Sequence, residues 1–353
     1  MRIVSLSDIC SYVNCKTPVE QIQLVDYVST ENLLQNKGGL SVANKLPSGK
    51  VTAFQAGDVL VSNIRPYFKK IWLADRSGGA SNDVLVFRKL NDNICEKYLY
   101  YILADDRFFT FSTVSASGSK MPRGDKVQIM NYPINLPSLD QQKKIANILG
   151  SLDEKIELNR RMNETLEQLG QALFRHYFVD KTKRGNNIQT LPLGERIRPK
   201  RGKSLQSKNM IDGNIPVISG GLKPAGFHNE ANTTAPVITI SASGANAGFV
   251  SVWGEPVWSA DSSYIDSTMT KYVYTYYLFL KNKQKEIYDM QTGSGQPHIY
   301  PKHIELLEIA DLSDCEFNDF EQRVRPLFDM IHKNKKQIDY LSNIRDLLLP
   351  KLV

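Results

Sequence analysis

The chain has 353 residues, 41% of them hydrophobic and 23% charged, with a formal net charge of +7. That length exceeds one ordinary core and predicts two domains, and no apolar run approaches the ~20 residues that a membrane-spanning helix needs. The opening MRIVSLSDIC reaches Ser5, Ser7 and Asp8 before a signal-peptide core could form, and Cys10, Cys15, Cys95 and Cys315 are scattered without metal-ligand spacing, so a cytoplasmic protein with reduced thiols and no metal is expected.

Residues 1–137 mix Val, Ile, Tyr, Gly and Ser, with strand-like runs such as Asp83–Phe87. A long amphipathic helix is predicted next, over 138–180, opening on the capping box Ser138-Leu139-Asp140-Gln141. It repeats every seven residues, with Ile145, Leu152, Asn159, Leu166 and Leu173 at one heptad position and Ile148, Met162 and Leu169 at another. Lys181 to Lys203 is the densest basic stretch, holding also Lys183, Arg184, Arg196, Arg198, Lys200 and Arg201 against Glu195. It suits phosphates, and equally a solvated linker between domains. Residues 181–312 return to strand-like grammar, as in Pro236–Ile240, and 313–353 form a second heptad helix opening on Ser313-Asp314-Cys315-Glu316. Its stripe is Phe320, Leu327, Asn334, Leu341 and Leu348, with Met330 and Ile344, and Pro326 is expected to kink or restart it.

The halves are copies. Shifted by 175 residues, Ser117 to the C-terminus aligns without a gap: SGSKMP (117–122) falls on TGSGQP (292–297), and Leu152, Ile156, Asn159, Leu166 and Leu173 fall on Leu327, Ile331, Asn334, Leu341 and Leu348. Upstream the register drifts by a few residues, so that Val59–Ser62 answers Ile238–Ser241 and Tyr100–Ile102 answers Tyr276–Leu278. Two such long stripes are best buried against each other as an antiparallel coiled coil, in which Asn159 and Asn334 share a core-facing slot and fix register.

The segment 136–180, LPSLDQQKKIANILGSLDEKIELNRRMNETLEQLGQALFRHYFVD, resembles the central conserved region of type I restriction–modification specificity subunits, and IHKNKKQIDYLSNIRDLLLPKLV (331–353) is similar to their distal conserved region. The resemblance implies an α/β (α+β) fold of two pseudo-twofold-related target-recognition domains, 1–137 and 181–312, separated by two long antiparallel coiled-coil helices, 138–180 and 313–353. It further implies a non-catalytic subunit that reads a split, asymmetric site on double-stranded DNA. Two methyltransferase and two restriction subunits would be its partners, with S-adenosylmethionine, ATP and magnesium on those partners and none in this chain. The tail stops at Val353, soon after LLLPKL, where a longer tail could strengthen the distal partner contact.

The residues agree with a chain that does no chemistry. It lacks the Asn/Asp-Pro-Pro-Tyr/Phe sequence of amino-methyltransferases and the GxxxxGK(S/T) phosphate loop, and His176, His228, His298, His303 and His332 form no HExxH pair. A self-contained methyltransferase, a structural coiled-coil scaffold and the recognition subunit of another phage-defence system are the competing readings. Recognition is expected in matching loops. The first half offers Asn63, Arg65, Tyr67, Lys69, Lys70, Ser119, Lys120 and Arg123; the second offers Ser243, Asn246, Ser294, Gln296 and His298. Arg and Lys donate to guanine O6 and N7, and Asn and Gln pair with adenine. The same segments also suit ordinary turns. Gln142, Lys143, Asn147, Glu154, Glu157 and Arg161, on the polar faces of the first helix, are the expected partner contacts.

Overall fold

The structure, a computed structural model, describes residues 2–118, 120–180, 189–293 and 295–353. The chain divides into two compact units, Met1–Ile156 with Asp339–Val353, and Glu157–Ile338. Lys181, Lys183 and Arg184 of the basic stretch lie outside the described residues.

The first unit runs β1 (Arg2–Ser5), β2 (Cys10–Tyr12), β3 (Lys16–Pro18), β4 (Tyr27–Val28), β5 (Lys50–Phe54), β6 (Val59–Ser62), β7 (Ile71–Leu73), β8 (Gly78–Ala80), β9 (Val84–Lys89), α1 (Glu96–Ala104), α2 (Asp106–Val114), α3 (Lys126–Met130) and β10 (Pro133–Leu136). Helix α4 (Leu139–Phe174) follows and ends on a π-helical turn, Arg175–Val179. The second unit continues with β11 (Thr190–Pro192), α5 (Leu193–Arg196), β12 (Lys200–Arg201), β13 (Ile215–Ile218), β14 (Gly226–His228), β15 (Val237–Ser241), β16 (Val250–Trp253), β17 (Trp258–Ser259), β18 (Ser262–Asp266), α6 (Val273–Asn282), α7 (Gln284–Asp289), α8 (Pro301–Glu305), β19 (Glu308–Ala310) and α9 (Asp314–Leu352).

The duplication is written in the topology. Antiparallel pairs β1·β10 and β11·β19 close the two units, and sheets β2-β9-β6-β7 and β12-β18-β15-β16 correspond strand for strand. The remaining sheets, β3-β5-β8-β4 and β14-β13-β17, share only a parallel pair, β4·β8 or β13·β17. Period-two alternation builds the layers. From β6 and β9, Val59, Val61, Leu85 and Phe87 join the core of α1 and α2, while Leu60, Val84 and Val86 pack with Val28, Phe54 and Ala80 of the accessory sheet. In the second unit Ile238, Ile240, Val250 and Ile265 face the helices, and Val237 faces Ile218 and Val257.

Both long helices begin where the capping boxes place them. Gln141 Oε1 accepts the Ser138 N–H at 3.3 Å, and at the second box Glu316 Oε2 accepts the Ser313 N–H at 3.0 Å while Ser313 Oγ accepts the Glu316 N–H at 3.3 Å. The two helices pair antiparallel. In the second unit Asn159 donates to Gln337 Oε1 at 2.9 Å and Asn334 to Asn163 Oδ1 at 2.9 Å, and both Asn159 and Asn334 are buried in the seam as the heptads predict. In the first unit Arg345 Nη1 donates to Asp153 Oδ1 at 2.8 Å, and the Tyr101 hydroxyl donates to Asp153 Oδ2 at 2.8 Å.

Three expectations need correction. The buried companions of the first heptad position lie four residues on, at Leu149 and Ile156 of α4 and Val324 and Ile331 of α9, whereas Ile148, Leu169 and Met330 are exposed. Leu152, Leu166, Leu173, Leu327, Leu341 and Leu348 are half-buried, because two helices alone leave the flanks of a seam open. Pro326 does not restart α9, which is helical throughout Asp314–Leu352; Pro326 and Gln322, four residues before it, both lie on the exposed face, where water can satisfy the freed carbonyl. Among the described residues no helix is long and apolar enough to cross a membrane.

Arg345 is 9% exposed, so removing Asp153 leaves a largely buried cation with only the half-exposed Asp346 beside it. Asp153→Ala is expected to cost the first unit about 2–4 kcal/mol, and pairing it with Arg345→Met to restore most of that loss. Hydrogen-exchange protection of β6 and β9 measures both.

Candidate nucleic-acid interface

The matching loops meet in each unit. In the first, β6 ends at Ser62, whose N–H donates to the Lys70 carbonyl at 3.0 Å and closes the 63–69 loop. The Asn63 N–H donates to the Asp83 carbonyl at 2.8 Å, and the Arg65 N–H donates to the Pro122 carbonyl at 2.8 Å. Ser117 and Arg123 exchange backbone hydrogen bonds of 3.0 and 2.9 Å around Gly118, whose φ is +103°. Arg123 Nε and Nη2 lie 3.2 and 3.1 Å from Asp83 Oδ1.

The second unit repeats this pattern. Ser241 donates to the Phe249 carbonyl at 3.0 Å, Ala242 to that of Asp261 at 3.1 Å, and Gly244 to that of Pro297 at 3.0 Å. Thr292 and His298 exchange hydrogen bonds of 3.1 and 2.8 Å around Gly293, with φ +98°. Arg201 Nη2 lies 2.6 Å from Asp261 Oδ1, and Ser243 Oγ donates to Asp261 Oδ2. Each unit thus joins one strand-connecting loop to one hairpin around an aspartate that holds an arginine.

Individual residues divide by what already occupies them. Tyr67, Lys120, Arg123 and Gln296 are exposed, and His298 stacks on Tyr300 with ring centroids 6.1 Å apart. Asn246 donates to the Gly220 carbonyl at 3.4 Å. Asn63 is buried, and its Oδ1 has no hydrogen-bond partner among the described residues. Lys69 reaches Asp106 at 2.7 Å; Lys70 donates inward to the Thr30 carbonyl, and burial lowers its pKa. Ser119 and Ser294 lie outside the described residues.

On the helix, Lys143 and Asn147 are exposed, Glu154 pairs with Lys97 at 3.0 Å, and Glu157 pairs with Arg161 at 2.8 Å. Gln142 is a correction. Its side chain is 1% exposed and engaged within the fold, accepting from the Cys95 N–H at 2.9 Å and donating to the Asn93 and Pro137 carbonyls at 3.1 Å each, so it caps α1 instead of facing solvent. Glu321 serves α6 similarly, accepting from the Thr275 N–H at 2.9 Å.

Two participants, Asp83 and Asp261, carry neither a cation nor an amide and so gave no sequence signal, and Arg201 was legible only as part of the basic stretch. Aligning the halves would have paired the two aspartates. Chemically, both faces offer arginine, hydroxyl and backbone N–H donors, the inventory that meets phosphates and base edges. Among the described residues no group of three or more His, Cys, Asp or Glu could hold a metal ion.

Residues 1–168 match the family described as type I restriction modification DNA specificity domain. The type I restriction enzyme HindI specificity subunit of Haemophilus influenzae is 30% identical over 185 residues, half of this chain and 40% of that protein. The MjaIX specificity subunit of Methanocaldococcus jannaschii is 25% identical over 300 residues, 74% of this chain and 69% of that one. A crystal structure of a type I restriction–modification S subunit from M. genitalium shares the fold, with a TM-score of 0.62 at 20% identity, covering 99% of this chain and 95% of that one. Over residues 1–168 the chain is thus similar to the type I restriction modification DNA specificity domain, its curated relatives are specificity subunits of which HindI is spanned to less than half its length, and the solved S subunit shares its fold.

Proposed function

We propose that this chain is the DNA-reading subunit of a type I restriction–modification complex and itself catalyses nothing. The supporting observation is one backbone arrangement used twice with different side chains. The Arg65–Pro122 and Gly244–Pro297 hydrogen bonds are equivalent, yet the first face presents Arg65, Lys120 and Arg123 where the second presents Gly244, Gln296 and His298. Different donor and acceptor patterns read different base edges, so the site has two unlike halves. Phosphate contacts from lysine, serine and backbone N–H groups supply position and affinity.

Methylation and cleavage then belong to partner chains. Two modification subunits and two restriction subunits carry S-adenosylmethionine, ATP and magnesium, and this chain orients them on the duplex. Lys143, Asn147, Glu154, Glu157 and Arg161 are exposed on α4 and supply contacts for a modification subunit.

Replacing residues 1–137 with those of a relative of different specificity should change one half of the methylated motif and leave the other intact; a change in both halves contradicts the assignment. Reversing Lys143, Glu154 and Arg161 together should abolish co-purification with the modification subunit while the circular dichroism spectrum stays native. Unchanged co-purification places that contact elsewhere.

A further inference from the structure

Among the described residues, the non-glycine residues with positive φ all meet at one place. They are Asn36 (55°), Lys37 (59°), Arg65 (51°) and Lys69 (50°). The Asn36 N–H donates to the Phe68 carbonyl at 2.9 Å and the Lys37 N–H to the Lys69 carbonyl at 2.8 Å, so two left-handed turns are tied together. Left-handed backbone is costly for any residue with a Cβ, and glycine avoids that cost. The second unit shows that glycine fits this loop. Gly244 and Gly248, with φ +81° and +87°, stand where the first unit has Arg65 and Lys69, and the Ser241–Phe249 bond closes that loop as Ser62–Lys70 closes this one. Side chains kept where glycine would be less strained point to a function for those side chains.

Two of the four have an identifiable task within the fold. The Lys37 side chain is 6% exposed, with Nζ 3.0 Å from Asp106 and 3.5 Å from Asp346. Lys69 Nζ is 2.7 Å from the other oxygen of Asp106. Asp346 in turn pairs with Arg345, which reaches Asp153 of α4. A run of ion pairs therefore connects the helix seam of the first unit to the Lys69 end of the strained loop and to the Lys37 turn tied to it. Arg65 lies four residues before Lys69 in the same loop. Its guanidinium carbon lies 5.9 Å from the Phe68 ring centroid, its Nη2 donates to the Lys120 carbonyl at 3.3 Å, and its Nε is buried with no partner among the described residues.

We propose that Arg65 is the specificity-determining side chain of the first half, reading a base edge with two adjacent acceptors, as guanine presents in O6 and N7, and that Lys37 and Asp106 are positioning residues that hold it there. The assignment rests on the DNA-reading function proposed above. In the second unit the glycines at the same places leave the loop bare, so that reading there falls to neighbouring side chains.

The test uses the full chain with its modification subunit, and duplexes carrying the motif found methylated in the host together with single base-pair variants across both halves. Arg65→Gly should lower discrimination at one base pair of the first half by about tenfold or more, while thermal stability stays equal or rises. Lys37→Met should weaken discrimination at that same base pair and leave the second half and the salt dependence unchanged, and Lys37→Arg should restore it. Unaltered discrimination in Arg65→Gly overturns the assignment of the reading residue. An unaltered profile in Lys37→Met, or a uniform loss across both halves with a lower melting temperature, overturns the positioning role. Absence of any motif preference in the wild-type complex instead overturns the DNA-reading function itself.

Discussion

The last turns of α9 complete a core that the first residues of the chain begin. Leu349 is buried among Val4, Leu6, Tyr98 and Leu149, with Leu348, Leu352 and Val353 packed beside it. The first unit cannot close its interior without the far end of the chain, and the second unit likewise needs Phe174 of α4 alongside Phe317, Phe320 and Phe328 of α9. The register of the helix pair is therefore a condition for both cores. Apolar residues alone would let two helices slip by a heptad; polar partners in the seam do not. Asn159 with Gln337, Asn163 with Asn334, and Arg345 with Asp153 each match at one register only. The buried ion pair adds little net stability, but its mismatch would be severely unfavourable, which is how such pairs select one arrangement.

That register reaches the 63–69 loop of the first unit through adjacent residues. Placing Arg345 on Asp153 places Asp346 near Lys37, and Lys37 with Lys69 shares Asp106. Burial opposes the charge on Asp106, yet hydrogen bonds from Lys69 and Lys37 hold its carboxyl below the ordinary value. Elsewhere the loops hang from the sheets by backbone hydrogen bonds, which do not depend on side-chain identity. A frame of this kind tolerates exchange of the exposed residues, because Arg65 and Gly244 occupy the same hydrogen-bonded position with the same sign of φ. Specificity can then diverge between two copies of one fold without refolding either.

Much of this was legible in the residues. The 175-residue shift located equivalent loops, the capping serines located the helix starts, and the shared Asn159 and Asn334 slot located the seam. The phase of the second heptad position was not legible, since Ile148 and Leu169 are as apolar as Leu149 and a 3.5-residue period places both three and four residues from the seam's first position. Gln142 misled because a polar residue in a first helical turn reads as exposed, whereas here an amide is what the N-terminus of α1 lacks. Lys69 and Lys70 were read as donors to DNA, while the structure engages both with acceptors of the first unit. Asp83 and Asp261 give no signal of their own, because an acid looks out of place in a loop expected to meet DNA until the arginine it holds is seen. The left-handed turns carried one unused signal: Arg65 and Lys69 align with Gly244 and Gly248, and glycine in one copy reports the backbone of the other.

The central claim is that two equivalent faces read two different sequences on one duplex. Base-resolved methylation sequencing of the host genome, with the gene intact and with it deleted, tests this most directly. The account predicts that deletion erases one motif, made of two dissimilar halves separated by unspecified bases. Retention of every methylated motif, or loss of one that is continuous or palindromic, would contradict it.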